Sequence, residues 1–126
     1  MIAGSGIDII EVKRIFSAQK KWRERFLKKV FTKKELAYAQ GKKYAAEHLA
    51  ARFAIKEALI KALSANGKKY LGNWKDIEVG NDKSGRPFVV LHGNFKKIKK
   101  QRRLKQIIIS ASHTHAYAVA SVILTQ

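Results

Sequence analysis

Two carboxylates and a lysine in this chain have the chemistry to share one task. Asp8 is the only polar residue in Ile7-Asp8-Ile9-Ile10, and Glu57 and Lys61 stand four positions apart in Arg52-Phe53-Ala54-Ile55-Lys56-Glu57-Ala58-Leu59-Ile60-Lys61-Ala62. Two carboxylates supply hard oxygen ligands of the kind Mg²⁺ takes when it bridges protein to phosphates. A carboxylate and an ammonium one turn apart on a mostly apolar helix are costly to bury unless something pairs with them. Spacing alone favours a plainer arrangement, an i,i+4 Glu–Lys pair on a surface face. Asp8 is equally suited to capping the helix that follows it. A second group is Ser110-Ala111-Ser112-His113-Thr114-His115. Its two histidines lack the further ligands a zinc site needs, but its hydroxyls and imidazoles can hold a phosphate or satisfy a turn. Gly85-Arg86-Pro87 is a turn whose arginine can reach a phosphate. The chain has no phosphate-binding Walker loop, dinucleotide glycine fingerprint, His-Glu-x-x-His pair or serine nucleophile elbow.

These residues need elements to position them. Residues 2–10 read as a short strand, with Ile7 and Ile9 on one face and Asp8 and Ile10 on the other. The charged run from Glu11 to about Val30 has a helical pattern. Thr32-Lys33-Lys34-Glu35 has the form of a capping box, with Gly41 suited to end its helix. Residues 45–63 give the strongest helix, ended by Asn66-Gly67. On it Ala50, Ala54, Glu57 and Lys61 share a stripe flanked by Leu49, Phe53 and Ile60 on one side and by Ala58 and Ala62 on the other, with Ile55 and Leu59 opposite. The helix should be largely buried, with its small alanines leaving room for a ligand. A polar loop runs to about Lys75. Ile77 to Val79 and Phe88 to His92 read as strands joined by residues 81–87, Phe95 to Lys105 as a basic helix, and Ile107 to Ser112 with Tyr117 to Leu124 as a hairpin. A strand, several helices and then mostly strands predict one α+β domain over residues 1–126.

The charge balance bounds the partners. Lys and Arg number 27 against 9 Asp and Glu, a formal net charge of +18. Such a surface attracts polyanions, whether nucleic acid, an anionic membrane or an acidic protein or phosphorylated cofactor. The basic segment at 96–105 together with Trp22 and Trp74 suits a nucleic-acid-binding module, the alternative reading. The chain contains no cysteine, which excludes disulfides and thiolate chemistry. No apolar run has the length of a membrane span and no secretory signal is visible, so the expected address is the cytoplasm.

Taken in order, the pieces resemble a known family. Gly4-Ser5-Gly6-Ile7-Asp8-Ile9 resembles the opening Gly-x-Gly-(Ile/Leu)-Asp-(Ile/Leu) run of the small, bacterial-type phosphopantetheinyl transferases. Phe31-Thr32-Lys33-Lys34-Glu35-Leu36 resembles their Phe-Thr-x-x-Glu segment, and the stretch 52–62 their Arg-Phe-Ala-x-Lys-Glu-Ala-x-x-Lys-Ala hallmark. Asp76 to Val79, Gly85-Arg86-Pro87 and Ser110 to Thr114 complete the series. Ser64 stands where many members have a glycine. The resemblance implies a compact α+β fold, helices on a mainly antiparallel sheet, working as a homotrimer with active sites between subunits. It implies transfer of 4′-phosphopantetheine from coenzyme A to a serine of acyl carrier protein, in support of fatty acid synthesis. Asp8 and Glu57 match the Mg²⁺ ligands and Lys61 matches a lysine at the diphosphate, and Glu57, directly or through a metal-bound water, is then the candidate to take the serine proton. Arg52, Ser112, His113 and the turn Gly85, Arg86 and Pro87 match the region that holds the adenosine 3′-phosphate end. Arg14 matches a contact to the acidic carrier, on a docking face that would also include Lys13, Lys20, Lys21, Arg23 and Arg25. No membrane or nucleic-acid partner is implied.

Overall fold

The computed structural model describes residues 1–16, 20–70 and 72–126. Three strands form one antiparallel sheet: β1 (Ile2–Glu11), β4 (Gln106–His113) and β5 (Tyr117–Thr125), in the order β1-β5-β4. A separate antiparallel hairpin pairs β2 (Ile77–Asn81) with β3 (Pro87–Leu91). The expected single sheet is thus two. Helices α1 (Lys13–Phe16), α2 (Lys20–Val30), α3 (Lys33–Gln40), α4 (Ala45–Leu63) and α5 (Gly93–Gln101) complete the fold. The single helix expected from Glu11 to Val30 is replaced by the end of β1 and two helices, and part of it, residues 17–19, lies outside the described residues.

Helix α4 is the central post. Ala50, Ala54, Ala58, Leu59 and Ala62 are fully buried on it, and β1 and β5 carry most of its packing. The room expected above Ala50 and Ala54 is therefore occupied by the core rather than open to a ligand. Strand β5 alternates as a half-buried strand should, turning Ala118, Ala120, Val122 and Leu124 into the core. The other face of the sheet stays open, with Ile7 and Ile9 each 65% exposed and Ile108 47% exposed.

The capping box forms as its sequence requires. Glu35 N donates to Thr32 Oγ1 at 3.2 Å and Thr32 N donates to Glu35 Oε1 at 2.8 Å. The same glutamate is buried and has a second use. Lys56, also fully buried, donates from Nζ to Glu35 Oε1 at 2.8 Å, to Val30 O at 2.7 Å and to Trp74 O at 3.1 Å. Val79 N donates to Glu35 Oε2 at 3.0 Å. One ion pair so ties α2, α3, α4, β2 and the 3₁₀ turn at Trp74–Asp76. Burial lowers the Lys56 pKa, and the Glu35 carboxylate opposes that shift.

Candidate active site

The first site depends on how closely β1 approaches α4. A Cβ added at Gly6 would collide with the carbonyl oxygen of Ala58 and lie 2.7 Å from the amide nitrogen of Ala62. One added at Gly4 would collide with the carbonyl of Ala62. Two glycines on the strand and small residues on the helix therefore let backbone meet backbone, and Asp8 follows directly in the same register. Lys61 Nζ donates to Asp8 Oδ1 at 3.0 Å and to Ile7 O at 3.0 Å. The surface Glu57–Lys61 pair that spacing favoured is not among the ion pairs of the described residues; Lys61 reaches across to the strand instead.

Asp8, Glu57, Lys61 and Arg14 line one cleft of about 420 Å³, walled on one side by Trp22, Phe26 and Phe53. Phe26 packs on Phe53 with ring centroids 5.8 Å apart and stacks with Trp22 at 6.1 Å. Burial raises the Glu57 pKa, the Asp8 carboxylate raises it further, and Lys61 opposes both. A carboxyl whose charge is disfavoured by burial and by a neighbouring carboxylate is an arrangement that a divalent cation relieves. Among the described residues no cluster of three or more acidic, histidine or cysteine side chains is poised for a metal. A two-carboxylate site fits a cation that takes its other ligands from phosphate and water.

The second site lies around the side of α4. Arg52 and His113 line a smaller cleft of about 200 Å³ with Tyr38, Asn81, Gly85 and Pro87. Arg52 is only 5% exposed, donates from Nη2 to Asn81 Oδ1 at 2.9 Å and lies over the Tyr38 ring at 4.2 Å. Its Nε is buried without a partner. No carboxylate pairs with Arg52 in any of the described ion pairs, so a buried guanidinium faces the cleft with donor capacity to spare. Asn81 Nδ2 donates to Gly85 O at 2.9 Å and fixes the turn against the arginine. Gly85 has φ of +85°, and Asp82 Oδ1 accepts from Ser84 and from the Arg86 amide. His113 Nδ1 is 3.0 Å from Glu47 Oε1, and His115 Nδ1 is 2.7 Å from Glu47 Oε2, which orients the first ring toward the cleft. Arg86 lies on the far side of the turn, in a separate hollow with Ser110 and Ile109. Ser112 alternates away from His113 along β4 and lines neither cleft.

Known proteins match this arrangement closely. Residues 4–120 match the model of the 4′-phosphopantetheinyl transferase superfamily. The chain belongs to that superfamily. It is 44% identical over 124 residues to the holo-[acyl-carrier-protein] synthase of Koribacter versatilis, covering 98% of each chain. It is 44% identical over 123 residues to that of Halothermothrix orenii, covering 98% of this chain and 97% of the relative. Among solved structures, the holo-[acyl-carrier-protein] synthase of Neisseria meningitidis superposes with a TM-score of 0.86 at 28% identity over all of both chains. The Bacillus anthracis synthase, solved in complex with coenzyme A (3′,5′-ADP), superposes at 0.74 with 35% identity over 98% of this chain and 96% of its own. These matches leave the nucleic-acid-binding alternative without support.

Within this transferase fold the hallmark segment distributes its residues to different tasks. Lys56 was read only as part of a motif, and its burial beneath Glu35 is what fixes the helix that carries Glu57. Its signal was present as a lysine on an otherwise apolar face. Tyr38, Glu47 and Asn81 were not singled out, because their partners come from distant parts of the chain.

Proposed function

We propose that the chain transfers 4′-phosphopantetheine from coenzyme A to a serine hydroxyl of apo acyl carrier protein, releasing adenosine 3′,5′-bisphosphate, as the names of its relatives indicate. The observation that carries this reading is the seating of Asp8, Glu57 and Lys61 in one cleft by the glycine contact of β1 on α4. Asp8 and Glu57 would hold Mg²⁺, which when bound neutralises charge on the diphosphate of coenzyme A. Glu57 takes the proton from the attacking serine, and burial beside Asp8, which raises its pKa, makes it a stronger base than a free carboxylate. Lys61 is half-exposed at its tip, and we assign it to the charge that develops on the departing phosphate. Arg52 and His113, with Gly85 and Pro87, would hold the adenosine 3′-phosphate, a role supported by the unpartnered Nε of Arg52.

The two clefts support assembly. Arg52 and Glu57 are five positions apart on α4, about 140° around the helix, so they face different flanks of one chain. A coenzyme A molecule touching both kinds of residue takes them from two subunits. The open sheet face bearing Ile7, Ile9 and Ile108 supplies an apolar surface for a homotrimer. In that assembly Arg86 and Ser112 would act across the subunit boundary. Arg14, beside the exposed Trp22 at the mouth of the first cleft, would meet the acidic carrier. No described helix is long and apolar enough to cross a membrane, and we place the reaction in the cytoplasm, where its two substrates would meet.

The test is to mix the protein with apo carrier, coenzyme A and Mg²⁺ and weigh the carrier. A gain of one phosphopantetheine arm, lost when Mg²⁺ is chelated and in Asp8→Asn, is the expected result. A carrier that gains no mass with the wild-type protein ends the proposal.

A further inference from the structure

Helix α5 carries a row of cations along one flank. Lys96, Lys99 and Lys100 fall within about 100° of helical arc and about 6 Å along its axis, and Arg103 follows just past the helix end. Together with Lys97 they form one wall of a groove of about 610 Å³ whose floor is aliphatic: Val89, Val90, Leu91, Leu104 and Ile107. No carboxylate lines this groove, and it shares no residue with either cleft of the transferase site. None of these cations takes part in an ion pair among the described residues. Arg103 is also the one non-glycine among the described residues at positive φ, +54°. It sits where the helix ends, with Leu104 N donating to Lys99 O at 3.0 Å and Arg103 N donating to Lys100 O at 3.1 Å. That position is ordinarily given to glycine, because a Cβ is strained there. A strained arginine kept at the head of a cationic row, beside an apolar floor, is a pattern of use rather than of stability.

We propose that this groove docks an acidic amphipathic helix of a protein partner, its apolar residues on the floor and its carboxylates along the α5 wall. The row decides the occupant. Five cations, from Lys96 in the helix to Arg103 just past its end, match carboxylates repeated every three or four residues on a facing helix, whereas a fatty carboxylate offers a single charge at one end. The floor holds no aromatic ring on which a base could stack, which disfavours single-stranded nucleic acid. Leu91 and Leu104 are recessed at 9% and 7% exposed and Val90, at 43%, is the one exposed residue of the floor, which is less protruding apolar surface than membrane insertion needs.

The probe is a fluorescein-labelled 18-residue peptide with leucines on one helical face and glutamates flanking them, followed by anisotropy with the full-length protein. A second peptide has the same composition in an order that destroys the amphipathic face. The first peptide should bind, and the scrambled one about tenfold more weakly. The triple variant K96E/K100E/R103E should weaken binding by more than about tenfold, and Val90→Glu, at an exposed floor position, should also weaken it. Both variants should modify apo carrier at the wild-type rate, so failure of docking is separable from failure of the transferase reading. Equal binding of the two peptides, undiminished binding to the triple variant, or loss of binding in Arg14→Glu alone would overturn the proposal. So would preference for phosphatidylglycerol vesicles or duplex DNA over the amphipathic peptide.

Discussion

Replacing Lys56 by methionine should destabilise the protein severely, although the position touches neither cleft. The ammonium is fully buried and donates to three acceptors from three different segments, Val30 O, Glu35 Oε1 and Trp74 O. Methionine fills most of the volume but leaves Glu35 charged in the core without its cation. Breaking a buried pair from one side costs about 3–5 kcal/mol. The Thr32 and Val79 amides still donate to Glu35 and place the expectation near the lower end, about 3 kcal/mol. Against a usual total of about 5–15 kcal/mol, that is a large fraction of the stability. The double variant Lys56→Met/Glu35→Gln removes the stranded charge but sets the Gln NH₂ against the Thr32 or the Val79 amide donor, so it should recover only part of the loss, about 1 kcal/mol. The assay is urea denaturation at fixed protein concentration, since assembly contributes to apparent stability. A loss below about 1 kcal/mol in the single variant, or a double variant less stable than the single, refutes the account of Lys56 as the post on which α4 is fixed.

Three further outcomes follow from the clefts. Gly6→Ala should cost about 1–3 kcal/mol, because β1 must back away from Ala58 and Ala62, and should slow transfer about 100-fold as Asp8 moves off Glu57; denaturation and carrier mass read the two effects. Glu57→Gln should slow transfer by about 10²–10⁴-fold. The folded Glu57 carboxyl has a raised pKa, so its ionisation costs stability as pH rises from the unfolded value of about 4.3. Metal-free Glu57→Gln should therefore melt above wild type at neutral pH, the gap closing below about pH 4, and a gap that widens in acid would contradict the assigned shift. Arg52→Ala should raise KM for coenzyme A about 10–100-fold while leaving KM for 3′-dephospho-coenzyme A nearly unchanged; equal effects on both substrates would remove the arginine from the 3′-phosphate.

The chain's elements were legible wherever local chemistry decides them. The capping box at Thr32 and the helix over residues 45–63 form where their residues say, because caps and propensity act within a few positions. Period-two alternation separated Ile7 and Ile9 from Asp8 and Ile10, but it carries no sign. The Asp8 face turns inward because Gly4 and Gly6 clear the helix backbone on that side, which only the packed pair reveals. Asp8 and Glu57 were assigned by resemblance, whereas local pattern alone pointed to a helix cap for Asp8 and a surface pair with Lys61 for Glu57. Lys56 illustrates the converse: its three acceptors are between 18 and 26 positions away, and no window of local pattern contains them.

The division of α4 between two clefts constrains how this enzyme can be regulated or lost. Glu57 and Lys61 serve the flank next to β1, Arg52 serves the flank next to the β2–β3 turn, and Lys56 between them faces inward. Tilting or rotating α4 about its axis moves both flanks together, so a packing defect near Lys56 should disturb both clefts, the proposed metal and nucleotide ends, at once. A defect in assembly acts differently. A charge placed at Ile9, on the open sheet face, would leave each cleft intact within its own chain yet, in the proposed assembly, separate the two that one coenzyme A would span. An Ile9→Lys protein that folds normally, sediments as a monomer and transfers at the wild-type rate would show that one chain suffices, and the shared site would have to be abandoned.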